Sequence, residues 1–430
     1  MRGRLKLIKF LKYSVIFGIL AGAILFVAYN HNLYVWEEQP PGSMWIVNGR
    51  LFEGTNLLPI ENPGILIKNG NIACLGNICE IPANAVQIDA TGKSIVPGLI
   101  ELHGHFFGGK ADSSRRSLPA MIWNSIRLQP DVTRKLIESG ITSYRSVGDP
   151  NSGIYELKNS LDMQEVASPH MFIAAPIFTA PGGHPAQSKR IPKWMIDEMT
   201  VQSDDPEYVK TKIAALVEQG VDGIKVIYQG HTNEHGEVIL PRISIETLKA
   251  ITAEARKFGL WVAVHTGSPE ETNEAIKAGI TTIEHGVRHG NIISSETLQL
   301  IVEHNIVYVP TLGREPKGHL NIHSLHQAGI QFGVGTDTQG NMIVGDSYHN
   351  ELSRMVEAGI PDAEVLLAAT RNGAVALREI DQMGTIQVGK FADLLLVNGH
   401  PWLNIRDLKN IEMVVLSGRI ALDKRELASK

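Results

Sequence analysis

The sequence predicts an α/β chain. It comprises a (β/α)8 TIM barrel, a small composite β-sandwich built from the segments on either side of it, and an apolar N-terminal helix ahead of both. Three observations carry this prediction. From residue 130 onward a helix, a stop glycine and a short apolar strand recur. Polar residues fall at one place in successive repeats, the carboxyl end of the strand. The segments flanking the repeats show no helical periodicity and look like short strands separated by turns.

A length of 430 residues allows about two or three domains. With 43% hydrophobic and 20% charged residues and no low-complexity tract, the chain can bury a large core. The net charge of -5 leaves no basic footprint for nucleic acid.

At the amino end, five basic residues (Arg2, Arg4, Lys6, Lys9, Lys12) precede an uncharged apolar run from Tyr13 to Tyr29. That run is just long enough to cross a bilayer as a helix. The next basic residue is Arg50, while Glu37 and Glu38 follow the run. The positive-inside rule therefore predicts a cytoplasmic tip over 1–12 and a transmembrane signal anchor over 13–30. The rest then lies on the non-cytoplasmic side, periplasmic or extracellular. A cleaved signal peptide, giving a secreted protein, is the competing reading, but no A-x-A-like site follows Ala28. Gly18 and Gly22 form a G-x-x-x-G, a helix-pairing spacing that is also common by chance. Residues 31–43, with Pro40, Pro41 and Gly42, are a linker.

Residues 44–93 and 383–430 are the two parts of the sandwich. Segments such as GILIKNGNIACLG and FADLLLVNG give them their strand-and-turn character. Asn48-Gly49 and Asn69-Gly70 are predicted hairpin turns, because that pair accepts positive φ. Cys74 and Cys79 admit two readings: a disulfide in an exported protein, or two small apolar strand residues.

Residues 94–382 hold the barrel. DVTRKLIESG leads to ITSYRSV, DPEYVKTKIAALVEQG to VDGIKVIY, and SIETLKAITAEARKFG to LWVAVHT. SPEETNEAIKAG leads to ITTIEHG, SSETLQLIVEHN to IVYVPTL, and LHQAG to IQFGVGTD. With strands near IVPGLIEL and HMFIAAPIF the count is eight, and a doubly wound open sheet is the alternative. Asp205 and Ser268 each precede a proline at the first helical position, and Ser268 with Glu271 spells a capping box. Gly140, Gly220, Gly259, Gly279 and Gly329 stand where a left-handed terminus is wanted.

The strand ends carry the chemistry. His103 and His105 in LIELHGH share one side by the period of two. Lys225, His265, His285 and Asp337 end later strands, so in a barrel all six open onto one face. Singly, each is unremarkable: a core histidine, a snorkelling lysine, a helix cap. Four imidazoles and a carboxylate exceed what one tetrahedral ion needs. An ammonium cannot bind a cation, whereas a lysine carboxylated by carbon dioxide is an anion able to bridge two ions.

IVPGLIELHGH, the strand-end lysine, the two later histidines, the TD at Asp337 and GTIQVGKFADLLLV together resemble the amidohydrolase superfamily over residues 44–425. Within it, the chain is similar to the imidazolonepropionase-like and prolidase-like members, which include dipeptidases and carboxypeptidases. The resemblance implies His103, His105 and Asp337 on one divalent ion, with Zn2+ the expected metal, and His265 and His285 on a second, with carbamylated Lys225 between them. Imidazolonepropionases proper bind one metal and lack the lysine, so Lys225 argues against that activity. The implied reaction is cleavage of an amide C–N bond by a metal-bridging hydroxide, with Asp337 as proton shuttle.

Tyr228 and His184, the latter in TAPGGHPAQSKR, are the implied donors to the substrate carbonyl or carboxylate, although Pro185 departs from the expected glycine. Arg145 is either a ligand for an anionic substrate group or a barrel salt bridge. The alternatives are a lactonase or phosphotriesterase-like hydrolase, a cyclic-amide hydrolase and, from another class, a non-catalytic membrane-tethered binding domain. The implied partners are a small-molecule substrate and the membrane, with homo-oligomerisation left open and no nucleic acid. Substrate preference would sit in the strand-to-helix loops near 106–129, 178–200 and 338–350.

Overall fold

The structure is a computed structural model that describes residues 18, 22, 42–106, 132–163, 167–189, 191–287, 291–339 and 344–425. The predicted cytoplasmic tip, the anchor over 13–30 and most of the linker lie outside the described residues. No helix among the described residues is long and apolar enough to cross a membrane.

The repeats form two arcs of parallel sheet. One arc has the order His170–Ile173, Ile141–Ser146, Leu99–His105, Thr338–Gln339. The other runs Thr200–Gln202, Ile177–Thr179, Gly223–Ile227, Trp261–His265, Thr282–Glu284, Val307–Val309. Backbone bonds join the arcs on both sides. Asp222 N donates to Ile173 O at 3.0 Å on one side. On the other, residues 331–337 pass between the arcs, with Tyr308 N on Gln331 O, Leu102 N on Val334 O and Asp337 N on His103 O.

Two predicted strands differ from a plain ladder. HMFIAAPIF is divided into His170–Ile173 and Ile177–Thr179. IQFGVGTD forms a single bridge, Phe332 to Tyr308, before Thr338–Gln339. Its glycines explain the close passage: a Cβ on Gly333 would lie 2.5 Å from Leu102, and one on Gly335 2.7 Å from the Cβ of His103.

Helices pack outside the sheet because alternation puts one set of strand residues there. Val262 and Val264 of Trp261–His265, with Ile224 and Val226 of Gly223–Ile227, share a core with Ile213, Leu216, Leu248 and Ile251 of the helices. Trp261 and Ala263, on the other parity, join an inner cluster with Leu102 and Val309. His265 continues that inner parity. The helix punctuation is as the sequence implies. Asp205 accepts from Glu207 N and Tyr208 N, and Ser268 with Glu271 completes a capping box. The five stop glycines have φ between 72° and 92°.

The flanks form a four-stranded sheet in the order Asn71–Leu75, Ile65–Lys68, Ser43–Val47, Val86–Asp89. Against it lies a six-stranded sheet ordered Arg419–Asp423, Ile411–Leu416, Leu394–Val397, Ser94–Pro97, Arg50–Leu51, Ile60–Glu61. Ile46, Ile65 and Ile67 of the first share a core with Ile95, Leu394 and Met413 of the second. Asn69-Gly70 is a hairpin turn, with Lys68 paired to Asn71. Asn48-Gly49 is not. Asn48 does take a φ of 64°, but the chain there crosses from one sheet to the other. Gly49 is needed because a Cβ would lie 2.7 Å from Ile95. Cys74 and Cys79 form a disulfide.

Glycine fills two different needs in neighbouring positions. Gly220 has φ +84° and open space, whereas a Cβ on Gly223 would lie 2.1 Å from the Trp261 indole. Gly220→Ala should therefore cost about 1 kcal/mol, through backbone strain alone. Gly223→Ala should cost more, up to about 3 kcal/mol, because it overpacks a rigid ring. Denaturant melts of the two variants check the order, and equal losses would contradict it.

Candidate metal centre

Parallel strands present their carboxyl ends on one face; His103, His105, His265, His285 and Asp337 sit at or beside those ends, and Lys225 lies in the middle of Gly223–Ile227. His103 Nε2 and His105 Nε2 lie 3.9 and 3.1 Å from Asp337 Oδ1. These spacings bracket the edge of about 3.4 Å expected for a tetrahedron with bonds of about 2.1 Å. Ligating atoms of His103, His105 and Asp337 all lie within 4.8 Å of one another, so the donor set fits one divalent ion. Lys225, buried at 2% exposure, places Nζ 3.5 Å from His103 Nε2. The His285 ring centroid is 4.6 Å from that of His103 and 4.6 Å from that of His265.

Outer partners decide which nitrogen of each ring faces inward. His103 Nδ1 lies 2.5 Å from Glu284 Oε2, and His285 Nδ1 lies 2.7 Å from Thr311 Oγ1. Both rings thus leave Nε2 for the centre. His265 is turned the other way, with Nε2 on Gln229 Oε1 at 2.8 Å. His285 and Asp337 have φ of 65° and 53°, so each strand bends sharply as it delivers its side chain.

Buried carboxylates brace the backbone. Glu101 accepts from His103 N at 2.8 Å and from Thr336 N and Oγ1 at 3.0 and 2.7 Å. Burial pushes its pKa up to about 8 despite those bonds. Glu271 accepts from Gly230 N at 2.7 Å through Oε1, and from Gly267 N and Ser268 N at 2.8 and 3.1 Å through Oε2. It ties the loop after the lysine strand to the loop after His265. Glu351 accepts from Leu312 N and Gly313 N, fixing the loop that carries Thr311 and Arg314. Sequence reasoning missed Glu101 and Glu284. The available signal was a carboxylate inside an apolar strand next to a ligand, in LIELH and TIEH.

The residues expected to meet substrate are spread unevenly. The His184 ring lies 5.8 Å from that of His265, beside the centre. Tyr228 donates its hydroxyl to Glu274 at 2.8 Å, and its ring lies under the Arg242 guanidinium at 4.5 Å. To serve a substrate, that hydroxyl has to leave Glu274. Arg145 corrects one expectation. It has 0% exposure and contacts Glu284, Thr282, the Leu102 carbonyl and the Trp261 ring, so no substrate anion reaches it. It forms the salt bridge, the second of its two expected roles, because a guanidinium so far from water needs a fixed carboxylate.

Partial burial opposes ionisation of Asp337. The hydrogen bond from His105 and the electrostatic contributions of His103, His105 and Arg314 outweigh it, holding the pKa down at about 2. A carboxylate with a depressed folded pKa contributes stability above its unfolded value of 3.8 and loses it as acid protonates it. In metal-free protein, the stability difference between wild type and Asp337→Asn should hold steady above about pH 5 and shrink towards pH 2. Denaturant titrations across that window test this, and a difference that grows with acid would contradict it.

Residues 94–421 match the amidohydrolase family. The ochratoxinase of Aspergillus niger is 22% identical over 395 residues, covering 81% of this chain and 80% of that protein. A Xaa-Pro dipeptidase crystallised with bound methionine is 25% identical with a TM-score of 0.75, covering 88% of this chain and 99% of that one. A putative prolidase from Bifidobacterium longum is 26% identical with a TM-score of 0.71, covering 88% and 94%. The chain therefore belongs to the amidohydrolase family and is a hydrolase acting on carbon–nitrogen bonds.

Proposed function

We propose that this chain is a binuclear metal hydrolase that cleaves the amide bond of a dipeptide or N-acyl amino acid-like substrate, within a closed (β/α)8 barrel. The observation that carries the reading is the convergence of His103, His105 and Asp337 within 4.8 Å, with Lys225 beside them. Similarity to a Xaa-Pro dipeptidase and a putative prolidase supports the substrate class. Backbone bonds linking the two arcs support the closed barrel.

In this reading His103, His105 and Asp337 would hold one ion, His265 and His285 would hold the second, and Lys225, as a carbamate, would contribute to both. Divalent ions there, zinc by preference, supply Lewis acidity that acidifies water and polarises the scissile carbonyl. The remaining steps belong to the side chains. Asp337 takes a proton on its carboxylate and returns it to the departing amine. Arg314, with Nε 2.9 Å from the Asp337 carbonyl oxygen, keeps that carboxylate aimed. His184, with its ring 5.8 Å from that of His265, would donate to the carbonyl oxygen, and Tyr228 would be a second donor once released from Glu274. Burial holds the pKa of His103 well below the ordinary imidazole value, which suits a neutral, ligating ring.

The full chain, supplied with Zn2+ and bicarbonate, should turn over members of a dipeptide and N-acyl amino acid library. Hydrolysis confined to lactones or phosphotriesters would replace the substrate class. Lys225→Ala should drop bound metal from two ions towards one and nearly abolish turnover, with partial recovery by short carboxylic acids. Unchanged metal content would sink the carbamate.

We propose further that residues 13–30 anchor the protein and that the hydrolase lies on the non-cytoplasmic side. The Cys74–Cys79 disulfide supports this, since such bonds persist in oxidising compartments. A reporter at the C-terminus should be active only outside the cytoplasm and sediment with membranes. Soluble cytoplasmic protein would refute it.

A further inference from the structure

Three charged or polar side chains with almost no exposure form a line behind the centre: Arg145 and Glu284 at 0% and His103 at 1%. Arg145 Nη2 donates to Glu284 Oε1 at 2.6 Å, and Thr282 Oγ1 donates to the same oxygen. Glu284 Oε2 is turned to His103 Nδ1 at 2.5 Å. A carboxylate only accepts, so His103 must carry its proton on Nδ1 and present a bare Nε2. Without that acceptor a neutral imidazole divides between two tautomers, and the one protonated on Nε2 cannot ligate.

We propose that Glu284 and Arg145 are positioning residues for the metal centre: Glu284 holds His103 in its ligating tautomer, and Arg145 holds Glu284. This rests on the metal reading above. Arg145 is itself held in place. Its Nη1 meets Thr282 Oγ1 at 3.2 Å, and the Trp261 ring covers its Cζ at 4.9 Å. Trp261 occupies the space that Gly223 leaves open.

Glu284→Gln is the sharpest probe, because it keeps the shape and changes only what the oxygen pair can do. Arg145 and Thr282 both donate, so they take the amide oxygen and leave the NH2 facing His103 Nδ1. Nδ1 must then accept, the proton moves to Nε2, and the ligating lone pair is lost. Partners of this kind are worth about 10–100-fold in metal affinity.

The experiment titrates the metal-free full chain with Zn2+ alone, by chelator competition, in wild type and Glu284→Gln. We expect affinity for the first ion to fall about 10–100-fold in the variant. Equal affinities in two folded proteins would overturn the proposal, because a purely structural role would change the melting temperature without changing the binding. A wild type that takes up no Zn2+ would overturn the metal reading as well. Nitrogen-15 shifts of His103 in metal-free wild type, assigned by their loss in His103→Gln, give a result even if Glu284→Gln fails to fold. A proton on Nδ1 supports the proposal, and a proton on Nε2 overturns it.

Discussion

The Arg145–Glu284 ion pair is the constraint on which the rest of the site is arranged. Two opposite charges sit 2.6 Å apart with no access to water. Pairs of this kind are expensive to bury and become strongly destabilising when one member is removed. The surrounding residues are those that make the burial tolerable. Thr282 and the Leu102 carbonyl take up remaining hydrogen bonds, and Trp261 closes one side with its ring. The pair lies on the inner parity of the strands, directly behind His103. The same face of the sheet thus holds an apolar plug, a charged pair and, at its open end, the histidine and aspartate cluster.

Much of the arrangement is legible in the sequence, for physical reasons that differ by element. His103, His105, His265, His285 and Asp337 stand out because each ends an apolar run and parallel strands align such ends, while Lys225 stands out as a lone charge inside one. Helix stops are legible because a left-handed terminus selects glycine, and capping boxes because their partners are three residues apart. What is not legible depends on partners distant in the chain. Glu284 looks like any strand carboxylate until His103, 181 residues earlier, is placed against it. Arg145 has equally good local reasons to meet a substrate or a carboxylate, and only burial separates the two. Asn48-Gly49 has a hairpin's composition, but its two strands pair with different sheets.

The Tyr228 neighbourhood shows how a local motif can be read correctly in place and differently in contact. Tyr228 does follow the lysine strand, and its backbone N donates to His265 O at 2.8 Å, at the rim. Its hydroxyl and ring are nevertheless engaged by Glu274 and Arg242, both from segments that sequence spacing does not connect. Arg242 also lies 3.1 Å from Glu274, so the three groups form one polar cluster beside the opening.

The carboxylate of Glu271 has a consequence for how a lineage of such enzymes can change its diet. One side chain anchors Gly230 with one oxygen and Gly267 and Ser268 with the other. Substitutions that shift either loop base are felt by both, and by Lys225 and His265 just before them. Coupled positions of this kind tolerate little independent drift. The stretch beyond Gly230, where His231–Thr232 and Val238–Leu240 form an exposed hairpin, is free of that coupling. Substitutions at the hairpin's outer end therefore leave both loop bases undisturbed, whereas those at its root are transmitted through Glu271 to the segment after His265.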